Sequence, residues 1–400
     1  MKICMFARSL PVHAIGGMEL HVETLAETLV TKGVDVTVIT TSSPDGKESE
    51  TRNGVKICYI KGVKPGKYSR GWWQGSVGKF KELESKEKYD VIHSQSAGAY
   101  YLLRKKLNKE YKLPVVVSLH GTSVDEIKTK LRLGFNLRAK LGLVRDIYHY
   151  LFWDIFFLSA CDAVVATSDQ QVKVIEKYYP VRNDKIHLVY NGIDTRLFTP
   201  RLKNVELLKK LGINSDEKII LSIARMKKEK GVQNIISIFP RVLEKFPKTH
   251  LLAVGEGEYK CSLIDLAHTL GIQDKVHFLG RIEYGRLVEY LNMADIFVNS
   301  TIRENGYDLT IPQAMACAKP VVSSDIKSVM TVIENGKNGF LYPRNDLTLL
   351  SNILFKLLDD AGLAKSIGLE ARSSVLTRFS LEAMAEGTIN VYKEVMRGNQ

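Results

Sequence analysis

Short runs of β-branched and other apolar residues alternate along this chain with stretches whose apolar positions recur every three or four residues. The runs Lys2–Ala7, Val34–Thr40, Val55–Tyr59, Val91–His93, Val115–Leu119, Ala163–Thr167 and Ile186–Val189 read as strands. Leu20–Lys32 and Gly98–Leu107 read as helices between them. Near-continuous apolar strands separated by helices predict a parallel sheet covered on both faces.

The second half repeats the pattern. Strands are expected at Lys218–Ile223, Thr249–Val254, Val276–Phe278, Ile296–Asn299 and Pro320–Ser323, with helices at Gln233–Phe246, Tyr259–Leu270, Gly285–Ala294 and Ile311–Ala318. Each half therefore predicts a doubly wound α/β unit, a form that binds ligands at the carboxyl ends of its strands. Two such units facing each other would enclose a central cleft. The turn signal Asn191-Gly192 and the polar stretch Asp194–Asn204 set the boundary. The expected division is 1–195, 196–379, and a last helix in 380–400 that carries Leu381, Met384, Ala385, Ile389, Tyr392 and Val395 at helical spacing. A chain of 400 residues suits two domains.

Composition adds a few exclusions. Apolar residues are 45% and charged residues 25%, as in globular proteins. No apolar run approaches the roughly 20 residues that span a bilayer. Met1–Phe6 reads as a first strand and not as a signal peptide. Cys4, Cys58, Cys161, Cys261 and Cys317 are odd in number and none are spaced as a metal-binding pair, so reduced thiols of a cytoplasmic protein are expected. No Asp-x-Asp stands near a third acidic residue, so no metal or other cofactor is expected.

The net charge of +13 is uneven, with 11 Lys/Arg against 4 Asp/Glu from Tyr101 to Tyr150. Within it, Lys128–Phe157 mixes Lys/Arg with Leu, Phe, Tyr and Trp153. Two readings stay open: helices lying on an anionic membrane surface, or ordinary helices with core-facing apolar sides. Nucleic acid is not an expected partner, because no recognition motif accompanies the basic residues.

Four segments carry candidate chemistry. Gly16-Gly17 precedes a helix, where glycines let a backbone approach a phosphate or merely form a tight turn. Arg225 and Lys230 follow the strand Lys218–Ile223, placed to converge on a diphosphate as a fork and a point charge. The loop through Glu304, Asn305, Asp308, Leu309 and Thr310 enters a short helix that contains Pro312 and Gln313. Free amides at Leu309 and Thr310 would favour a phosphate there. His120 ends the strand Val115–Leu119, where an imidazole either donates to a sugar hydroxyl or completes a structural hydrogen bond.

Ten segments resemble, in order, the family-four retaining glycosyltransferases of GT-B fold: GGMELHVETLAETLVTKGVDVTVIT, VVVSLHG, VVATSDQQ, VYNGIDTRLFTP, LSIARMKKEKG, LLAVGEGEY, VHFLGRI, ADIFVNST, QAMACAKPVV and NGFLYP. The resemblance implies that Gly16 and Gly17 lie beside the donor phosphates and that Arg225 and Lys230 clamp the diphosphate. It implies that Arg281 and Ile282 border the base and that His120 lies near the transferred sugar. It also implies that the last helix packs back on the first domain.

The chain departs from the family pattern where two glutamates usually stand eight positions apart. Asn305 and Gln313 occupy those places, with Glu304 one position early as a substitute. Asp308 stands where the family has glycine, and Lys327-Ser328 and Thr331 replace a later glycine pair and glutamate. The expected activity is retaining transfer from a UDP- or GDP-sugar to an acceptor hydroxyl of a glycan or lipid-linked glycan. The expected location is cytoplasmic, extending to the inner membrane face. A nucleotide-sugar epimerase or a weakened nucleotide-sugar-binding protein is the alternative.

Overall fold

The computed structural model describes residues 1–14, 16–132, 137–302, 308–327 and 329–398. The chain divides into two compact units, Met1–Gly192 with Leu381–Gln400, and Ile193–Ser380.

The first unit contains β1 (Lys2–Phe6), β2 (Asp35–Thr40), β3 (Ser49–Arg52), β4 (Val55–Tyr59), β5 (Val91–Gln95), β6 (Val115–Ser118), β7 (Ala163–Ala166) and β8 (Ile186–Leu188). They form one sheet in the order β3-β4-β2-β1-β5-β6-β7-β8. All the pairings are parallel apart from β3 with β4. Side chains along β1 alternate between the two faces, as strand geometry dictates. Ile3 and Met5 join one core with Val22, Leu25 and Leu29. Cys4 and Phe6 join the other with Trp72, Phe80 and Leu103.

The last helix, Leu381–Gly398, buries Met384, Ala385, Val391, Tyr392 and Val395 in the first of these cores. Tyr392 also reaches the sheet itself: its hydroxyl lies 2.6 Å from His93 Nδ1.

The second unit contains β9 (Lys218–Ile223), β10 (Thr249–Val254), β11 (Val276–Gly280), β12 (Ile296–Asn299), β13 (Val321–Ser324) and β14 (Phe340–Tyr342). Its sheet is wholly parallel, in the order β11-β10-β9-β12-β13-β14. One face packs against the helices Val232–Lys245 and Leu347–Asp359 through Ile235, Phe239, Leu350 and Leu354.

Strand order locates the ligand-binding ends of both sheets. In the first, β1 lies between β2 and β5, so successive connections leave it in opposite directions. In the second, β9 lies between β10 and β12. The carboxyl ends at such a reversal open into a crevice, because the flanking crossover helices diverge there.

Some local expectations change. Strand β3 was not expected: its sequence SETR has no apolar run, and it is an edge strand with no buried residue. The helix expected over Gly98–Leu107 is instead two short helices, Tyr100–Arg104 and Leu107–Glu110, separated by Lys106 at φ +56°. The helix expected over Ile311–Ala318 is Thr310–Ala316, with Ala318 beyond it at φ +55°.

Candidate functional site

In the second unit, three turns after strands are laced together. Met226 N donates to Glu256 O at 2.9 Å, Tyr259 N to Met226 O at 2.9 Å, and Gly255 N to Gly280 O at 2.7 Å. A Cβ on Gly255 would lie 2.0 Å from Ala224 O, so only glycine lets these turns meet. Arg225 therefore projects from a fixed turn after β9, and Arg281-Ile282 follows the neighbouring turn after β11. The Arg225 side chain is exposed and has no hydrogen bond or ion pair among the described residues.

Lys230 is brought to the same reversal point by Gly231. Gly231 adopts φ +71°, and a Cβ there would stand 1.9 Å from Ser300 O. The turn after β9 is bonded to the turn after β12 by Ser300 Oγ to Gly231 O at 2.5 Å and Ile302 N to Glu229 O at 3.0 Å. Lys230 Nζ then donates to Asp308 Oδ2 at 3.1 Å. Asn299 Nδ2, from the end of β12, donates to the same oxygen at 2.9 Å. Thr310 Oγ1 donates to the other carboxylate oxygen at 2.8 Å. Burial works to raise the Asp308 carboxyl, but the Lys230 charge and these donors outweigh it and hold the group below its ordinary range.

This changes the expected phosphate contact at Leu309-Thr310. The helix Thr310–Ala316 begins under the Asp308 carboxylate, which approaches Thr310 N at 3.4 Å. Leu309 already has helical backbone angles. Asp308 is thus an internal anion at this helix start, where an external one was expected. Gln313, from the same helix, is 2% exposed. Its Nε2 faces Tyr284 Oη at 3.5 Å, while its Oε1 is buried without a partner. Glu304 and Asn305 lie outside the described residues, as does Ser328.

In the first unit, Gly16 is the extended residue before the helix Gly17–Thr31. The carboxylate of Glu19 occupies the first turn and accepts from Ser9 Oγ at 2.7 Å. A Cβ on Gly16 would meet Glu19 Oε2 at 2.5 Å. The glycine therefore makes room for that side chain, and its negative φ gives no reason of backbone freedom.

His120 follows β6, with its Nε2 2.7 Å from Gln95 Oε1. Since the amide oxygen only accepts, Nε2 carries the proton and Nδ1 is left as the acceptor. Gln95 ends β5 and is 1% exposed. Next to it, His93 Nε2 lies 2.8 Å from Ser118 Oγ. The rings of His21 and His120 meet edge to face at 4.7 Å. Both nitrogens of His21 are buried without hydrogen-bond partners. Burial pushes His21 down to about 4 and His93 to about 3, and it holds His120 well below the usual imidazole range. Neighbouring imidazoles and Arg8 push His120 further in the same direction.

Sequence reasoning located Arg225, Lys230 and His120 by strand-end logic. The same logic reaches Arg8 after β1, Gln95 at the end of β5 and Asn299 at the end of β12, which it passed over. Nothing local marked His21, an apolar-face position on its helix.

The profile of the family described as "Glycosyltransferase Family 4" matches residues 15–197, and that of "Glycosyl transferases group 1" matches residues 204–374. An uncharacterized glycosyltransferase of Methanocaldococcus jannaschii is 28% identical over 99% of both chains. The N-acetyl-alpha-D-glucosaminyl L-malate synthase of Bacillus anthracis is 28% identical over 80% of this chain and 79% of its own. Among solved structures, the sucrose-phosphate synthase of Thermosynechococcus elongatus superposes with a TM-score of 0.78 at 20% identity, covering 99% of each chain. HepE of Anabaena, in complex with UDP and glucose, superposes with a TM-score of 0.70 at 19% identity, covering 98% of this chain and all of its own.

Proposed function

Because the chain belongs to the family-four glycosyltransferases of GT-B fold and is a glycosyltransferase, we propose that it transfers a sugar with retention from a UDP- or GDP-sugar to an acceptor hydroxyl. The observation that carries this reading is the unpartnered Arg225 guanidinium in the segment after β9, which also carries Lys230, at the reversal point of the second sheet. Cleaving the anomeric C–O bond releases a nucleoside diphosphate, and fixed cations stabilise the charge that develops on it. Arg225 and Lys230 supply those cations, so no divalent metal is required. The orphaned Gln313 Oε1 is an acceptor for a nucleotide hydroxyl, and Arg281-Ile282 borders the base. Glu304 and Asn305 belong to the donor side. The Nδ1 of neutral His120 accepts from a hydroxyl of the sugar. The leaving phosphate helps deprotonate the acceptor, so no carboxylate nucleophile is needed. The complex of HepE with UDP and the Bacillus enzyme's name, which specifies a small hydroxy acid, are consistent with this division of labour.

The acceptor side is taken to face an anionic membrane. The helical run from Leu137 to Ala160 leaves Val144, Ile147, Tyr148, Leu151, Phe152 and Phe156 exposed, a spacing that lines one helix face. Phe156 also borders a groove lined by Lys106, Lys109, Lys112 and Lys185. No helix among the described residues is long and apolar enough to cross a membrane. An apolar face beside lysines suits a cytoplasmic enzyme that rests on anionic lipid and reaches a lipid-linked glycan.

A thermal-shift series with UDP, GDP and ADP tests the donor side, since a bound nucleotide raises apparent stability by mass action. Product analysis with the stabilising nucleotide's sugars then separates transfer from epimerisation. Absence of any nucleotide-dependent shift would sink the reading.

A further inference from the structure

The reversal point of the first sheet holds a cation that the donor chemistry leaves unused. Arg8 stands just past the carboxyl end of β1, the strand between β2 and β5. Its guanidinium lies 4.8 Å over the ring of Tyr68. Its Nε is buried and has no hydrogen-bond partner. No carboxylate among the described residues pairs with it. Two nearby acids are engaged elsewhere. Glu19 accepts from Ser9, and Asp154 accepts from Ser123 N and Tyr179 Oη, both at 3.3 Å. The imidazoles of His21, His93 and His120 are neutral, so they supply neither counter-charge nor a competing cation.

An arginine is rarely left with an inward-facing donor and no acceptor, because each unmet donor loses its water without compensation. Contact with the face of Tyr68 holds the guanidinium in place without using a hydrogen-bond donor. A fixed planar fork matches a carboxylate or a phosphate, each of which accepts two parallel hydrogen bonds. The position, at the strand ends of the unit that contains His120, is where a ligand of this unit binds.

We propose that Arg8 binds an anionic group, carboxylate or phosphate, on the acceptor, so that the first unit selects negatively charged acceptors. The word acceptor rests on the transferase reading given above; the anion site itself does not. Neutral His120 is compatible with such a ligand, since it brings no charge of its own to the site. Arg8 acts here as a specificity residue, and donor affinity is independent of it.

The test isolates this site from the nucleotide side. Inorganic phosphate and succinate are titrated by calorimetry into Arg225→Ala protein and into the Arg225→Ala, Arg8→Gln double variant. Saturable binding is expected in the first, weakened about tenfold or more in the second, the effect of losing hydrogen bonds to a charged group. The anion that binds more tightly identifies the group. Arg8→Lys, in the same background, keeps the charge without the fork and is expected to bind with intermediate affinity, which also guards against a misfolded Gln variant. No saturable binding of either anion, or equal affinity with and without Arg8, would overturn the proposal. UDP and GDP are titrated separately into the wild-type protein and Arg8→Gln. Loss of nucleotide binding to the wild type would fail the donor reading and leave the Arg8 result intact.

Discussion

Lys230 and Asp308, 78 residues apart in the chain, form a hydrogen-bonded ion pair at 3.1 Å. The carboxylate also holds Asn299 and Thr310, so one side chain ties the ends of β9 and β12 to the start of the following helix. A diphosphate arriving at Lys230 must compete with that carboxylate.

Replacing Asp308 by Asn is therefore expected to raise nucleoside diphosphate affinity, by about tenfold if the competing charge is the main obstacle. Lys230→Met should instead lower stability by about 3 kcal/mol, because it strands a largely buried carboxylate. Arg225→Ala should leave stability within about 0.5 kcal/mol, since the side chain is exposed and unpaired. Calorimetry and thermal denaturation of the three variants separate these effects.

Gly231→Ala is expected to destabilise the second unit by about 2–4 kcal/mol. The new Cβ would collide with Ser300 O, and the backbone is left-handed there. The shift would displace Lys230 as well, so nucleotide affinity should fall together with the denaturation midpoint. An alanine variant of wild-type stability would contradict the close approach of the two turns.

Acid should weaken the first unit by protonating its buried histidines. His21 is held at about 4, below an unfolded value near 6.5. A lowered histidine contributes stability that is complete above the unfolded value and is lost as pH falls through the folded one. The window is therefore about pH 6.5 to 4, with about 3 kcal/mol at stake for this residue. His21→Leu should flatten the stability profile in that window. Denaturant melts at half-unit pH steps would show it.

Gln95 fixes the tautomer of His120, while burial, with His21, His93 and Arg8, keeps the imidazole neutral. The wild-type enzyme should show no acid limb in kcat/KM near pH 6.5 from this imidazole. Gln95→Glu places a carboxylate beside Nε2 and should draw the histidine upward, adding an acid limb at higher pH than in the wild type. Superimposable pH profiles would mean that His120 does not act in turnover.

Tyr148 and Phe152 are exposed and pack mainly on each other, with ring centroids 4.8 Å apart. Tyr148→Ser with Phe152→Ser is expected to keep the denaturation midpoint and to reduce flotation with vesicles rich in anionic phospholipid. Binding to neutral vesicles should be weak for both proteins. Unchanged flotation of the double variant would assign this face to something other than lipid.

The alternation of strands and helices was legible because it is local. Period-two and near-four-residue patterns follow from the geometry of each element and its one buried side, and so β1, β2, β9, β10 and β12 stand close to where the pattern put them. The same pattern missed β3, a polar edge strand that buries nothing, and it merged the two short helices split at Lys106. Strand-end logic named Arg225, Lys230 and His120 because a doubly wound sheet concentrates ligand groups at those ends.

What the chain alone could not give is which ends meet. Asp308 stood out in the sequence only as a departure from the family's glycine, and its partner Lys230 comes from a different crossover. His21 was an apolar-face position on a helix until the sheet brought His120 to it, and Arg8 was unremarkable until Tyr68 covered it and no carboxylate arrived. Sequence determines the elements through local periodicity. Pairing, burial and the charge state of a buried group depend on neighbours contributed by distant segments, and only the tertiary structure selects those.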